Sequence, residues 1–156
     1  MRSDSADAVN SGVTVTSKTN YEAGVVGFFD ISDKLMIRSG FIYTQRSYTL
    51  STALASGDFT YTYFQIPVGL MYKFSDFGGA FVGPAIAFNA SKTCTFGSNC
   101  TPTGVQSSII PIQIGASFKF APQLGAAFYY EVVPGKLDDN IQNAKAIVAD
   151  LMITFE

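Results

Sequence analysis

Residues 61–74 read YTYFQIPVGLMYKF, and this stretch decides how the chain is to be understood. Its even positions, Phe64, Ile66, Val68, Leu70, Tyr72 and Phe74, are bulky and apolar. Gln65, Pro67, Gly69, Met71 and Lys73 make a smaller, mixed face. Successive side chains of a strand point to opposite faces, so a period of two describes a strand with one greasy side.

The same pattern recurs on the carboxyl side. Between 107 and 120, Ile110, Ile112, Ile114, Ala116, Phe118 and Phe120 alternate with Gln113, Gly115, Ser117 and Lys119. In 124–134, Leu124, Ala126, Phe128, Tyr130 and Val132 oppose Gly125, Ala127, Tyr129 and Glu131. At the end, Ile147, Ala149, Leu151, Ile153 and Phe155 oppose Val148, Asp150, Met152 and Thr154. Weaker strands cover 21–31, 35–48 and 80–92, and no segment has helical periodicity. Connections alternate in length: short at 32–33, 75–79 and 121–123, long and polar at 51–59, 93–106 and 134–144. A meander with tight turns at one end and long loops at the other is the layout of a transmembrane β-barrel.

Composition points the same way. The 156 residues suit one domain; 14 Phe and 8 Tyr accompany only 14% charged residues, about half the usual globular share. No run of eighteen apolar residues exists, so membrane contact falls to strands. A net charge of −2 without a basic stripe excludes nucleic acid as a partner. The absence of histidine removes the commonest general base and metal ligand, so no catalytic residue, metal or cofactor is expected and the chain is read as a non-enzyme. Residues 1–12, MRSDSADAVNSG, lack the apolar core of an export signal, so the chain is read as mature or trimmed.

A soluble barrel of lipocalin size also alternates, but it turns its apolar face inward and a charged face outward. Here the second face consists of Gly, Ala, Ser and Gln with isolated charges, which suits a narrow packed lumen. The expectation is an all-β, antiparallel, up-and-down transmembrane barrel in the bacterial outer membrane. Seven strands are legible. An eighth, required for an even count, is sought in 8–17, where Val13 and Val15 alternate, or upstream; residues 1–19 are a polar segment or weak first strand, and 20–156 the barrel.

Several stretches also resemble a known family. TNYEAGVVGFFDISDKLMIRSGFIYTQR (19–46), YFQIPVGLMYKF (63–74) and GGAFVGPAIAF (78–88) are similar to outer-membrane barrels of the PorT type. The resemblance spans about 19–156 and implies a small eight-stranded barrel; some relatives are associated with secretion. Such barrels begin with a glycine-rich strand, which SGVTVTSK does not match, and end on an aromatic residue read by the assembly machinery. Phe155 fits that role, with Glu156 after it.

With the greasy faces toward lipid, Phe64, Ile66, Val68, Leu70, Ile112, Ile114, Phe118, Phe128, Ile153 and Phe155 face outward. The lumen then receives Glu22, Asp30, Arg38, Arg46, Gln65, Lys73, Asn89, Gln113, Lys119, Glu131 and Asp150, both charge signs together, as a polar plug. Hairpin symmetry sets Gln65 opposite Asn89 and Gln113 opposite Glu131. Cys94 and Cys100 flank TFGSN and are expected to pair in an oxidising compartment. Tyr48, Phe59, Tyr61 and Tyr63 read as an interfacial girdle, and Asp138-Asp139 as solvated loop charges. Expected partners are membrane lipid, the assembly machinery and a surface ligand of the loops at 49–60, 93–107 and 134–144; a small-solute channel is the alternative role.

Overall fold

The structure is a computed structural model describing every residue except 54, 96–99, 101 and 154–156. It contains ten strands and, among the described residues, no helix: β1 Arg2–Ala8, β2 Thr14–Asn20, β3 Glu22–Asp30, β4 Leu35–Ser51, β5 Ser56–Ser75, β6 Gly78–Cys94, β7 Ser108–Ile109, β8 Ile112–Ala121, β9 Leu124–Lys136 and β10 Ile141–Ile153. β2 and β3 form one course interrupted at Tyr21, and β7 and β8 another, so the wall has eight staves. All pairings are antiparallel and follow the order β2-β1-β10-β9-β8-β6-β5-β4-β3; a further β2–β4 pairing closes the ring. Ring closure pairs backbone groups that an open sheet would leave free.

The eighth stave lies elsewhere than expected. It is Arg2–Ala8, polar on both faces, while Val13 and Val15 belong to the turn and the start of the next stave. The long connections are also shorter than their composition suggested. β4 and β5 pair out to Ser51↔Ser56, and β9 continues to Lys136, leaving turns at 52–55 and 137–140. Between β6 and β7 the described residues, 95, 100 and 102–107, carry no strand.

The bulky face points outward along the wall. Phe64, Val68, Leu70, Ile112, Ile114, Phe118, Phe128 and Ile153 are exposed and Ile66 is half-buried; Phe155 lies outside the described residues. Rings collect at both margins of this band. Tyr21 stacks on Tyr43 at 6.1 Å and Tyr43 meets Phe64 edge-on at 5.9 Å; Phe74 packs against Phe118 at 6.2 Å near the short turns.

Beyond the Tyr21–Tyr43–Phe64 margin the polarity inverts on the same staves. The outer wall there presents Ser3, Ser5, Thr19, Lys92, Lys136 and Lys145. The interior becomes an apolar core of Tyr48, Leu50, Phe59, Tyr61, Tyr63, Ile109, Val133, Leu137 and Ile141. The tyrosine girdle expected from the sequence is therefore wrong: Tyr48, Phe59, Tyr61 and Tyr63 are buried inside the barrel. Parity explains the error, because Tyr61 and Tyr63 share the phase of Gln65, and Tyr48 that of Arg46. At this margin the outer wall instead carries the rings of Tyr21, Tyr43 and Phe64.

Candidate functional site

Inside the apolar band the barrel is filled by ions and amides centred on Glu131. This side chain projects inward from β9, is fully buried, and accepts four hydrogen bonds. Arg2 and Arg46 approach Oε1 at 2.8 and 2.7 Å; Gln65 and Gln113 donate to Oε2 at 2.7 and 2.9 Å. The donors come from four different staves, β1, β4, β5 and β8, so the carboxylate ties the walls together across the lumen.

The set extends in both directions. Arg38 donates to Gln113 Oε1 at 3.0 Å and lies over the Phe81 ring at 4.4 Å. Arg2 forks onto Asp4, with contacts of 2.8–3.1 Å, and its other terminal nitrogen donates to Glu22 at 2.8 Å. Asn20 donates to Asp4 at 2.9 Å, and the Tyr129 hydroxyl donates to Glu22. Arg2, Arg38 and Arg46 thus balance Asp4, Glu22 and Glu131. A buried ion survives only when paired and hydrogen-bonded, and equal numbers of both signs make that feasible in so narrow a space.

Small residues provide the room. Gly115 sits between Phe81 on β6 and Tyr129 on β9, whose rings close over it with centroids 5.9 Å apart. A Cβ there would overlap Tyr129 Cβ and the Phe128 carbonyl oxygen. Gly69 is opposite Arg38 and leaves space beside its stem.

The sequence-derived lumen set divides in two. Glu22, Arg38, Arg46, Gln65, Gln113 and Glu131 meet in the plug, and Asp150 stands half-buried at its edge, 3.9 Å from the Met1 ammonium. Four residues do not join. Asp30 is exposed at the short-turn end. Lys73 is part-exposed and pairs with Asp76 at 3.1 Å across the 76–77 turn. Lys119 is half-buried beside the 122–123 turn. Asn89 donates to the carbonyls of Thr62 and Ser91. Gln113 does stand opposite Glu131, but Gln65 faces Ala87, and Asn89 faces Tyr63. The β5–β6 hairpin closes on Asp76-Phe77, tighter than SDFGG suggested, with a register shift between Lys73 and Ser75, and this moves the pairing by two residues.

Arg2, Asp4 and Asn20 were missed. Their segment has no apolar face, so a search for hydrophobic alternation passes over it. The Arg2-x-Asp4 spacing was the available signal, since it sets opposite charges on one side of a strand.

Above the plug, Asp138 is buried rather than solvated. It accepts from the Tyr61 hydroxyl and caps the 137–140 turn through the Asn140 and Ile141 N–H groups at 2.8 and 2.7 Å. Burial and the neighbouring Asp138 carboxylate raise the Tyr61 pKa, so the phenol stays a donor. Cys94 and Cys100 form a disulfide with Cα atoms 5.6 Å apart. On the outer wall Lys18 and Thr49 bond Asp58 at 2.5 and 2.6 Å and hold its pKa below the ordinary carboxylate value. Among the described residues, no cluster of three or more acidic, cysteine or histidine side chains could hold a metal ion.

No family model matches this chain, and no curated protein matches it. Among solved structures, one of the NanC porin is similar over 99% of this chain and 92% of its own, at 9% sequence identity and a TM-score of 0.36. A likeness at that level lends no weight to a function, which has to come from the chain's own geometry.

Proposed function

We propose that the protein is an integral barrel of the bacterial outer membrane, sealed by its polar plug, and that it serves as an anchored scaffold presenting the rigid polar end of the barrel at the cell surface. The observation that carries this reading is the inversion of polarity along single staves. On β5 the apolar outer face runs from Phe64 to Phe74. Ten steps at about 3.3 Å, tilted by about 40°, span roughly 25 Å, the height of the apolar belt on transmembrane barrels. A crossing needs only about 9–11 residues, whereas β5 has 20. The surplus supports a collar standing clear of the bilayer, built like a soluble barrel with its grease inside.

The plug argues for a scaffold over a conduit. An eight-stave barrel has room for side chains and little else, and here that room is occupied by mutually bonded ions. Surface interaction then falls to the collar and to the connection between β6 and β7, where Cys94 and Cys100 are joined by a disulfide. The motifs quoted for PorT-type barrels are compatible with this role, and kinship with that family is part of the proposal. The test is electrical: purified protein in planar bilayers should give no ohmic conductance, while Glu131→Ala, which loosens the plug, should give noisy openings. Steady conductance by the unaltered protein would establish a channel and overturn the scaffold reading.

A further inference from the structure

The outer wall changes character just above its aromatic margin, and it does so differently on its two sides. Residues paired across neighbouring strands share a face, which sorts the wall into rows. Tyr43, Phe64 and Phe88 form one row across β4, β5 and β6. Gln45, Thr62 and Ser91 form the row above it, and Ser47, Thr60 and Thr93 the next. Neither upper row carries a charge. The charges reached beyond them, Lys18 and Asp58, neutralise each other at 2.5 Å. On the opposite side, along β9 and β10, the place directly above the exposed Tyr130 and Ile147 is taken by Val132 and Lys145, a cation at the edge of the apolar band.

We propose that the uncharged patch on β4, β5 and β6 docks the saccharide headgroup of a glycolipid in the leaflet around the barrel. This rests on the transmembrane reading, which alone sets the patch at headgroup depth. Charge decides the class of headgroup. A phosphate at this level calls for a lysine or arginine, as Lys145 offers on the far wall, and neither upper row contains one. A face meeting water alone would ordinarily be interspersed with charges of both signs.

A sugar ring presents hydroxyl groups at its edge and C–H groups on its face. The two upper rows answer the first with hydroxyls and an amide, and the aromatic row answers the second with apolar ring surface that has a polar neighbour above it. Ser47 and Thr60 bond each other at 2.9 Å. Among the described residues, the side chains of Gln45, Ser91 and Thr93 form no hydrogen bond within the chain and remain available to a ligand. Two rows about 7 Å apart, on staves about 4.8 Å apart, give a patch roughly 7 by 10 Å, the breadth of one or two sugar rings.

The test uses the whole chain in dodecylphosphocholine micelles, shown to be inserted by a heat-modifiable gel shift, and titrates it with digalactosyldiacylglycerol and separately with phosphatidylglycerol. The Gln45 side-chain amide and the backbone amides of Thr62 and Ser91 should shift saturably with the galactolipid and not with the anionic lipid. Gln45→Met combined with Thr93→Val should weaken the galactolipid by about fivefold or more, through the loss of uncharged hydrogen bonds. Ser91→Lys should make phosphatidylglycerol the tighter ligand. The absence of a saturable shift in an inserted barrel overturns the saccharide site and leaves the membrane reading standing. Equal shifts with both lipids would assign the patch to lipid of any kind, and equal shifts with free lactose would assign it to a glycan outside the leaflet; either result overturns the proposal. Failure of the chain to insert removes both readings.

Discussion

Replacing Glu131 by alanine tests the plug where the geometry is most exacting. The substitution removes one acceptor group and leaves four donors, two of them guanidinium ions. The two arginines are not equally affected. Arg2 retains Asp4 and Glu22, but Arg46 makes no other ion pair among the described residues, and its Nε and second terminal nitrogen have no hydrogen-bond partner. Glu131→Ala therefore strands a fully buried cation, and removing one member of a buried pair costs about 3–5 kcal/mol. The assay is urea unfolding from phospholipid vesicles, followed by far-UV circular dichroism because the chain has no tryptophan. Arg46→Met added to Glu131→Gln removes the stranded charge and fills the space, and should recover about 2 kcal/mol relative to additivity. A cost below about 1 kcal/mol for Glu131→Ala, or no recovery in the double variant, would refute the claim that this carboxylate holds the lumen together.

Four further outcomes follow. Gly115→Val should cost about 2–3 kcal/mol, since the added carbons overlap Tyr129 and the Phe128 carbonyl; an unchanged unfolding midpoint would mean the rings do not close over that position. Leu70→Arg on the outer band should destabilise the vesicle-inserted barrel by about 2–4 kcal/mol while Thr19→Arg on the collar costs nearly nothing, and equal effects would erase the boundary between them. The Asp58 pKa is depressed by Lys18, so the pair's stabilisation is fully present above the free-Asp value of 3.8 and is lost as pH falls through the lower folded value. The pair is more than a third exposed, so Asp58→Asn should lower stability at pH 7 by at most about 1 kcal/mol, and the difference should shrink as pH falls below the free-Asp value. Reducing Cys94–Cys100 should remove roughly 2 kcal/mol yet preserve the heat-modifiable gel shift of a closed barrel, because both cysteines pack on the collar core outside the apolar band.

What the sequence disclosed and what it hid have one physical source. In the band, large apolar residues face outward and small or polar ones inward, and that contrast made β5, β8, β9 and β10 readable. Above the margin the sense reverses, so Tyr61 and Tyr63 belong to the interior although they sit at a strand end where an interfacial ring would be expected. The phase relation to Gln65 carried the right answer; residue type carried the wrong one. β1 was illegible for a related reason. Its outer residues Ser3, Ser5 and Asp7 lie along the collar and its inner residues Arg2 and Asp4 in the plug, so neither face is apolar. Gln65 and Asn89 were misaligned by a turn tighter than its composition, whereas in the β8–β9 hairpin a register shift between Lys119 and Ala121 centres the pairing on residue 122 and so keeps Gln113 opposite Glu131.

Depth is the quantity that decides the matter. Nitroxide labels at Leu70, Ile86 and Ile114, and at Lys92, Lys136 and Lys145, can be compared in lipid vesicles for collisions with oxygen, which partitions into hydrocarbon, and with a nickel chelate, which does not. The first three should favour oxygen and the last three the chelate, with the change falling at the Tyr21–Tyr43–Phe64 margin. Chelate-accessible labels at Leu70 and Ile114 would mean that the bulky face meets water, and a barrel spanning the membrane would be ruled out.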